Sequence, residues 1–454
     1  MWVQVAAVDG SMRHCAGAGA GGRVGRVSGW AGDAGELSRR FLAAAGSRQA
    51  LAVLLPVVLE EDPPWPAGPL PTGARDGAEE GRARRLLFTP AAGRALYDRR
   101  WHTRTAVAEG PLRLDAMELL RTPGTREPRR ALAVLHFTVD GTPMLPLLRA
   151  LSGRRQAPGP DPLQGPLDPA VLLAGVADTR APAAPFALSR PYSVVFFAPG
   201  AGPREALRDP VSGELPAEAD LLLRSLASRA APSDIPLPPE NLPSLRADAL
   251  RISADWSALV LRQGTAFLGH RPDTGPGDFY DFAAANARGT YLDALLLGTI
   301  QRDRIDELTD ELSGVFGGTH LTRRVARLER RIAYFRSTYW RQHLDAHGPA
   351  NHLLLAFQSK HRLPERFAQI LAEAADYARL AQTQESGQIA AALGVLTVLG
   401  LPVSTALSIL QVLGDSSGAD LLIALGASLA ATAAALTTPY GRLVVSSLRG
   451  GSAD

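Results

Sequence analysis

SGQIAAALGVLTVLGLPVSTALSILQVLG (residues 386–414) and LLIALGASLAATAAALTTPYG (residues 421–441) contain no Asp, Glu, Lys or Arg. A helix rises about 1.5 Å per residue, so crossing ~30 Å of hydrocarbon takes roughly 20 mostly apolar residues, and each run has that length. Only Asp415-Ser416-Ser417-Gly418-Ala419-Asp420 separates them, which predicts a helical hairpin re-entering one side. Lys360, Arg362, Arg366 and Arg379 precede the first run and Arg442 and Arg449 follow the second, while the intervening loop carries only aspartates. Positive charge stays inside, so the expectation is a multi-pass inner-membrane protein with both termini cytoplasmic. The competing arrangement is a helical hairpin buried in a globular core, which the alanine content of the second run favours.

The remainder of the 454 residues has room for two or three domains, and 46% hydrophobic with 20% charged residues is ordinary globular composition. The net charge is only +3 and nearly all of the basic residues are Arg, with Lys360 the sole Lys, so no polyanion-binding signature emerges and no nucleic-acid partner is expected. A single cysteine, Cys15, excludes an intrachain disulfide and a cysteine metal cluster. The first 24 residues are rich in Gly and Ala, with Arg13 and Arg23 interspersed and no compact apolar core, which does not read as a signal peptide.

Residues 1–48 form a loose N-terminal segment with a short helix expected over 35–45. ALAVLLPVVL (50–59) has strand length and is interrupted by Pro56; residues 61–85, rich in Pro, Gly and charge, read as a loop. Strand-like runs follow at 131–139, 192–198, 250–253 and 257–268, the last with Gly264 as a turn or bulge, and helices are expected at 143–151 and 217–228. Pro-rich segments at 157–166 and 232–243 divide these elements. Residues 49–285 are thus expected to be an α+β (mixed α/β) cytoplasmic domain.

From Phe279 the apolar period becomes helical. Tyr291, Leu295, Leu296, Ile300, Ile305, Leu308, Leu312 and Val315 form one stripe, ended by Gly317-Gly318; Leu321, Val325, Leu328, Ile332, Phe335 and Tyr339 form the next. The short turn predicts an antiparallel pair with an acidic face (Asp303, Asp306, Glu307, Asp310, Glu311) opposite an arginine face (Arg323, Arg324, Arg327, Arg330, Arg331). A third helix opens at Pro364 and runs without a proline to Pro402, joining a coiled-coil-like stalk over 286–385 to the transmembrane hairpin over 386–442, with a cytoplasmic tail over 443–454. The fold class expected is this α+β domain, then long antiparallel helices, then the two-helix transmembrane hairpin.

That layout resembles the CorA-like metal-ion transporters. The run Leu396-Thr397-Val398-Leu399-Gly400-Leu401-Pro402-Val403-Ser404 is similar to that family's apolar stretch followed by Pro, an aliphatic residue and Thr or Ser. The family's Gly-Met-Asn pore-mouth signature is absent: an ungapped match from Pro402 places Gln411-Val412-Leu413 there, and the nearest glycine gives Gly414-Asp415-Ser416. The resemblance implies a membrane homo-oligomer, while Mg²⁺ transport does not carry over without the signature.

Thr397, Ser404, Ser408, Gln411 and Asp415 follow one another at helical spacing and form the candidate pore lining, with Pro402 as the candidate hinge. The bland alternative has the hydroxyls bonded to their own helix. The acidic strip Asp303, Asp306, Glu307, Asp310 and Glu311 is the candidate metal site, a divalent cation being the one ligand or transported ion in view; the alternative is a solvated face paired with arginines. His343, Asp345, His347 and His352 form a second cluster, at a helix end before Gly348-Pro349. No Walker loop, nucleophile elbow, His-Glu-x-x-His or dinucleotide fingerprint occurs, so no enzyme and no cofactor is expected. Two functions compete: an oligomeric channel, transporter or membrane effector gated by its cytoplasmic domain, and a non-conducting tethered scaffold whose α/β domain recruits a protein partner.

Overall fold

The computed structural model describes residues 46–73, 77–122, 129–140, 143–152, 161–179, 191–200, 214–315, 321–340 and 348–413, with scattered positions from 419 to 434. In chain order the elements are β1 (Arg48–Leu59), α1 (Gly77–Arg85), α2 (Pro90–Tyr97), β2 (Arg100–Glu109), β3 (Leu112–Arg121), β4 (Arg130–Val139), α3 (Met144–Leu151), α4 (Pro169–Leu172), β5 (Ala177–Asp178), β6 (Tyr192–Ala198), α5 (Ala217–Ser228), α6 (Leu242–Asp248), β7 (Leu250–Arg251), β8 (Trp256–Val260), β9 (Gly264–Gly269), α7 (Phe279–Arg288), α8 (Thr290–Ser313), α9 (Leu321–Thr338), α10 (Pro349–Lys360) and α11 (Leu363–Leu413). The short helix expected over 35–45 lies outside the described residues.

The strands form one sheet in the order β2-β3-β4-β1-β6-β9-β8-β7, with β5 beside β1. All the pairings are antiparallel except β6 with β9. β1 and β6 are covered on both faces, which is why their sequences read as continuous apolar runs. One face of the sheet, through Leu51, Val53, Leu135, Phe137, Val195 and Leu268, packs on α3, α5 and α6. The other, through Leu54, Val134, Tyr192, Phe196, Trp256 and Phe267, packs on α2 and on α7 to α11. The molecule is therefore a three-layer sandwich, each wholly buried Leu or Phe contributing roughly 1.5–3 kcal/mol.

Two glycines mark the closest approaches. A Cβ on Gly264 would lie 2.6 Å from the Ser193 carbonyl oxygen, so β9 can run beside β6 only with glycine there. A Cβ on Gly298 of α8 would come 2.6 Å from the Phe357 ring of α10. Sequence reading took 61–85 as loop and passed over β2, β3 and α10. β2 is a polar edge strand, with Arg100, His102 and Arg104 in it, and α1 carries Glu79, Glu80, Arg82, Arg84 and Arg85; neither displays an apolar period.

The membrane expectation is corrected. Among the described residues no helix is long and apolar enough to cross a membrane. The two-helix transmembrane hairpin over 386–442, the multi-pass inner-membrane placement with cytoplasmic termini, and the ion-transport role built on them therefore do not hold. The first charge-free run is the continuation of α11, a single helix of 51 residues whose first turns bury Phe367, Ile370 and Ala374 against the sandwich. The second run, 421–441, lies mostly outside the described residues, and the first interleaves its apolar residues with Thr397, Ser404, Thr405, Ser408 and Gln411.

Gly298→Ala should cost about 1–3 kcal/mol by overpacking against Phe357. Gly387→Ala in α11, where an added Cβ meets nothing within 4 Å, should instead gain roughly 0.5–1 kcal/mol of helix propensity. Urea unfolding midpoints of the two variants check both signs.

Candidate functional site

The sandwich encloses a fully buried ionic network. Asp293 of α8 accepts from Arg84 Nε (2.9 Å) and Nη2 (2.8 Å), from Arg100 Nη1 (2.6 Å) and from the Tyr97 hydroxyl (2.7 Å). Glu118 of β3 accepts from Arg100 Nε (2.7 Å), the Leu70 amide (2.9 Å) and His136 Nε2 (2.8 Å). Burial alone would raise the Glu118 carboxyl, but the Arg100 charge and the His136 hydrogen bond hold it well below the usual carboxylate range. Burial lowers His136, which is neutral and donates through Nε2. Every acidic oxygen in this network has a partner, and its charged groups are almost wholly enclosed. It can hold α1, α2 and α8 to β2, β3 and β4, but it offers no access to a substrate.

A second polar pair has catalytic geometry without catalytic access. Ser257 Oγ lies 2.9 Å from His270 Nε2, and His270 Nδ1 lies 3.1 Å from the Ala254 carbonyl oxygen. Both side chains are 1% exposed, so no acyl group can reach the hydroxyl.

Two open grooves flank α11: one of about 630 Å³ against α9, lined by Ile332, Trp340, Leu371 and Ala374 and mostly apolar, and a more polar one of about 480 Å³ along α8 and α11, floored at one end by the β8–β9 turn and the α10–α11 corner. The Arg366–Asp306 ion pair ties the two helices, so Arg302 lies level with the corner and Leu312 with Glu373. The corner end is mainly basic: Arg262 from the turn, Arg302 from α8, then His361, Arg362 and Arg366, with Glu365 of the first turn of α11 among them. The far end holds Thr309, Leu312, Gln369, Ile370 and Glu373.

Each basic side chain has a distinct state. Arg302 is 7% exposed; its Nε and Nη2 donate to Asp303 Oδ1 at 3.1 and 2.8 Å, while Nη1 has no partner. Arg262 Nε donates to the Lys360 carbonyl oxygen at 3.0 Å and so leans over the corner. Arg362 has φ 54°, the left-handed conformation that a helix C-terminus usually gives to glycine, at about 1–2 kcal/mol for a side-chain residue. Among the described residues no carboxylate pairs with Arg262 or Arg362. His361 stacks on Phe357 with ring centroids 4.2 Å apart, and its Nε2 has no partner. Burial, and then the charges of Arg302, Arg262 and Arg366, push this imidazole down to about 3, so it is neutral and able to meet a donor or acceptor. Burial dominates Asp306 as well, raising it despite Arg366.

The residues singled out from the sequence are scattered. In the acidic strip, Asp303 pairs with Arg302 and Asp306 with Arg366, Glu307 with Arg130, Arg304 and Arg331, and Glu311 with Arg331. Asp310 is at the C-terminal turn of α8 and is raised chiefly by burial. No group of three or more metal-ligating side chains occurs among the described residues. Thr397 and Pro402 lie on α11 with side chains outside the described ones. Ser404, Ser408 and Gln411 are exposed, and Ser408 Oγ donates to the Ser404 carbonyl oxygen at 2.8 Å. Asp415, His343, Asp345 and His347 lie outside the described residues, and His352 is in the first turn of α10. The groove residues were passed over, although Lys360-His361-Arg362 before Leu363-Pro364 is a visible signal: a basic run at a helix start. Sequence reading assigned those charges to the flank of a membrane span.

Compared with known proteins, the chain matches no protein-family model, no curated protein and no solved structure. The CorA-like resemblance rests on the sequence alone.

Both His136 and His361 are depressed in the folded state, so the folded chain binds fewer protons than the unfolded one below about pH 6.5. Stability should be level above neutrality and fall on acidification by up to roughly 1.4 kcal/mol per pH unit for each histidine. Urea midpoints between pH 8 and 5 test this, and His361→Phe, which keeps the stack on Phe357, should make the slope shallower.

Proposed function

We propose that the chain works by binding rather than by catalysis, and that its groove between α8 and α11 takes a small anion. The observation that carries this reading is Arg302, a buried guanidinium whose Nη1 has no partner, beside Arg262 and Arg362, which no described carboxylate neutralises. A buried donor without an acceptor costs about 1–3 kcal/mol, more when charged, and a multivalent anion removes that cost by bridging several guanidinium groups. The start of α11 adds its helix dipole at the same end.

The binding event joins three elements. Arg262 is on the β8–β9 turn, Arg302 on α8 and Arg362 on the α10–α11 corner, so a bridging anion holds the corner in one arrangement. The left-handed Arg362 fits this role, because strain at a ligand clamp is retained where the side chain is needed. The consequence is a binding module in which a ligand sets the attachment of the long α11. The recipient of that signal is a protein partner, as the scaffold alternative in the sequence expects. The outer face of α9, with Arg323, Arg327, Arg330 and the exposed Tyr334, offers it a cationic surface.

Calorimetric titration of the full-length protein with inorganic phosphate at fixed ionic strength tests the reading. Saturable binding at or below about 1 mM, roughly −4 kcal/mol, is expected. Arg302→Met and Arg262→Gln should each weaken it about tenfold, near 1.4 kcal/mol. Arg362→Gly should weaken binding too, yet leave the fold as stable or more so by up to about 1 kcal/mol, since glycine accepts the left-handed conformation. A folded wild-type protein that binds no phosphate overturns the proposal.

A further inference from the structure

The groove is larger and more varied than a bare anion requires. Its volume of about 480 Å³ falls among small-molecule sites of roughly 300–1,000 Å³, whereas an ion the size of a few water molecules fills only one end. The charge is also limited. Asp303 engages Arg302 and Asp306 engages Arg366, leaving Arg262 and Arg362 as the uncommitted cations. Glu365, in the first turn of α11, offsets part of this charge, so the corner suits the single phosphate of a monoester rather than a polyphosphate.

The other lining groups select what is attached to that phosphate. Glu365, Gln369 and Glu373 recur every four residues on α11 and so lie along one side of the groove, Glu365 at the basic corner and the other two beyond it, where Gln369 Nε2 donates to Glu373 Oε1 at 2.8 Å and leaves Glu373 Oε2 for a ligand. Across from them on α8 are Thr309 and the apolar Leu312, and Ile370 of α11 adds a buried apolar side chain. Carboxylates repel a second phosphate but accept hydrogen bonds from hydroxyl or amino groups. Leu312 and Ile370 give the carbon framework a surface to pack on.

We infer that the groove recognises a phosphate monoester with a hydrogen-bond-donating body, of the sugar phosphate or nucleoside monophosphate class. In this arrangement the phosphate lies among Arg262, Arg302 and Arg362, and the hydroxyl or amino groups face Gln369 and Glu373. This rests on the anion reading above and extends it along the groove. No bond is made or broken: the ester is a ligand. Neutral His361 at the inner wall accepts or donates one hydrogen bond without adding charge.

The test titrates the full-length protein with inorganic phosphate, ribose 5-phosphate, adenosine 5′-monophosphate, adenosine 5′-triphosphate and ribose, in the wild type and in Glu373→Gln and Gln369→Ala. Those two substitutions are on a solvent-facing side of α11, and a thermal melt confirms that each variant is folded. At least one monoester is expected to bind about tenfold more tightly than inorganic phosphate, and the triphosphate no more tightly than the monophosphate. In Glu373→Gln or Gln369→Ala the monoester advantage should shrink to about threefold or less, while the affinity for inorganic phosphate stays within about twofold. Equal affinity for phosphate and both esters overturns this inference and leaves the anion reading intact. A triphosphate preference, or an ester advantage untouched by both substitutions, overturns the assigned orientation and the inference with it. Absence of binding by every phosphate in the folded wild type overturns both.

Discussion

The charge network around Asp293 is the constraint on which the rest of the molecule depends. Moving a charge out of water costs several kcal/mol even after relaxation, and only close, well-aligned partners offset it. Asp293 has them in Arg84, Arg100 and Tyr97, and Arg100 passes the connection to Glu118 and thence to His136. These residues come from α1, α2, α8 and three neighbouring strands. Their positions must all be right at once, since an error in any one leaves a buried charge without a partner. The network therefore selects a single docking of α8 on the sheet, where apolar packing alone would tolerate several.

That docking also sets the groove. Asp293 and Arg302 are on the same helix, about 13 Å apart along its axis at 1.5 Å per residue. Once the first is fixed inside the sandwich, the second is fixed at its edge. The two sites place the same side chain in different surroundings. Arg100 is enclosed, with its Nε and Nη1 paired with two carboxylates, whereas Arg302 engages one carboxylate beside an open groove and Arg362 is held in a left-handed backbone conformation; Arg100 and Arg302 each keep one nitrogen without an acceptor. We assign recognition to the guanidinium groups beside the groove and a structural role to the enclosed Arg100.

The long α11 belongs to both arrangements. Its first turns bury Phe367 against Phe335 and Trp340 of the α9 end, at ring separations of 5.0 and 4.9 Å, and its opposite side lines the groove. Gln301, next to Arg302, accepts from Gln358 at 2.9 Å and donates to the Tyr339 carbonyl oxygen at 2.8 Å, joining α8 to α10 and to the end of α9. An event at the groove thus reaches the helical layer through packed rings and buried amides.

Taken alone, the sequence determined the elements whose side chains repeat with a clear period. β1, β4 and β6 were legible as apolar runs, β8 and β9 as one strand-like run with a turn or bulge at Gly264, and α8 and α9 from their apolar stripes, because burial of a face imposes a period of two or 3.6 on any chain. Only the tertiary structure decided the rest. β2 is a polar edge strand and α1 a charged helix, both held by partners more than a hundred residues away or across a hairpin, so neither has a local signature. The charge-free run after Ser386 satisfied a length rule but is the continuation of a packed helix, a distinction that depends on what α11 touches. The groove is legible least of all. Arg262, Arg302 and Arg362 are distant in sequence and ordinary in type, and what makes them a site is burial, a missing acceptor and a left-handed backbone, which exist only after the chain has folded.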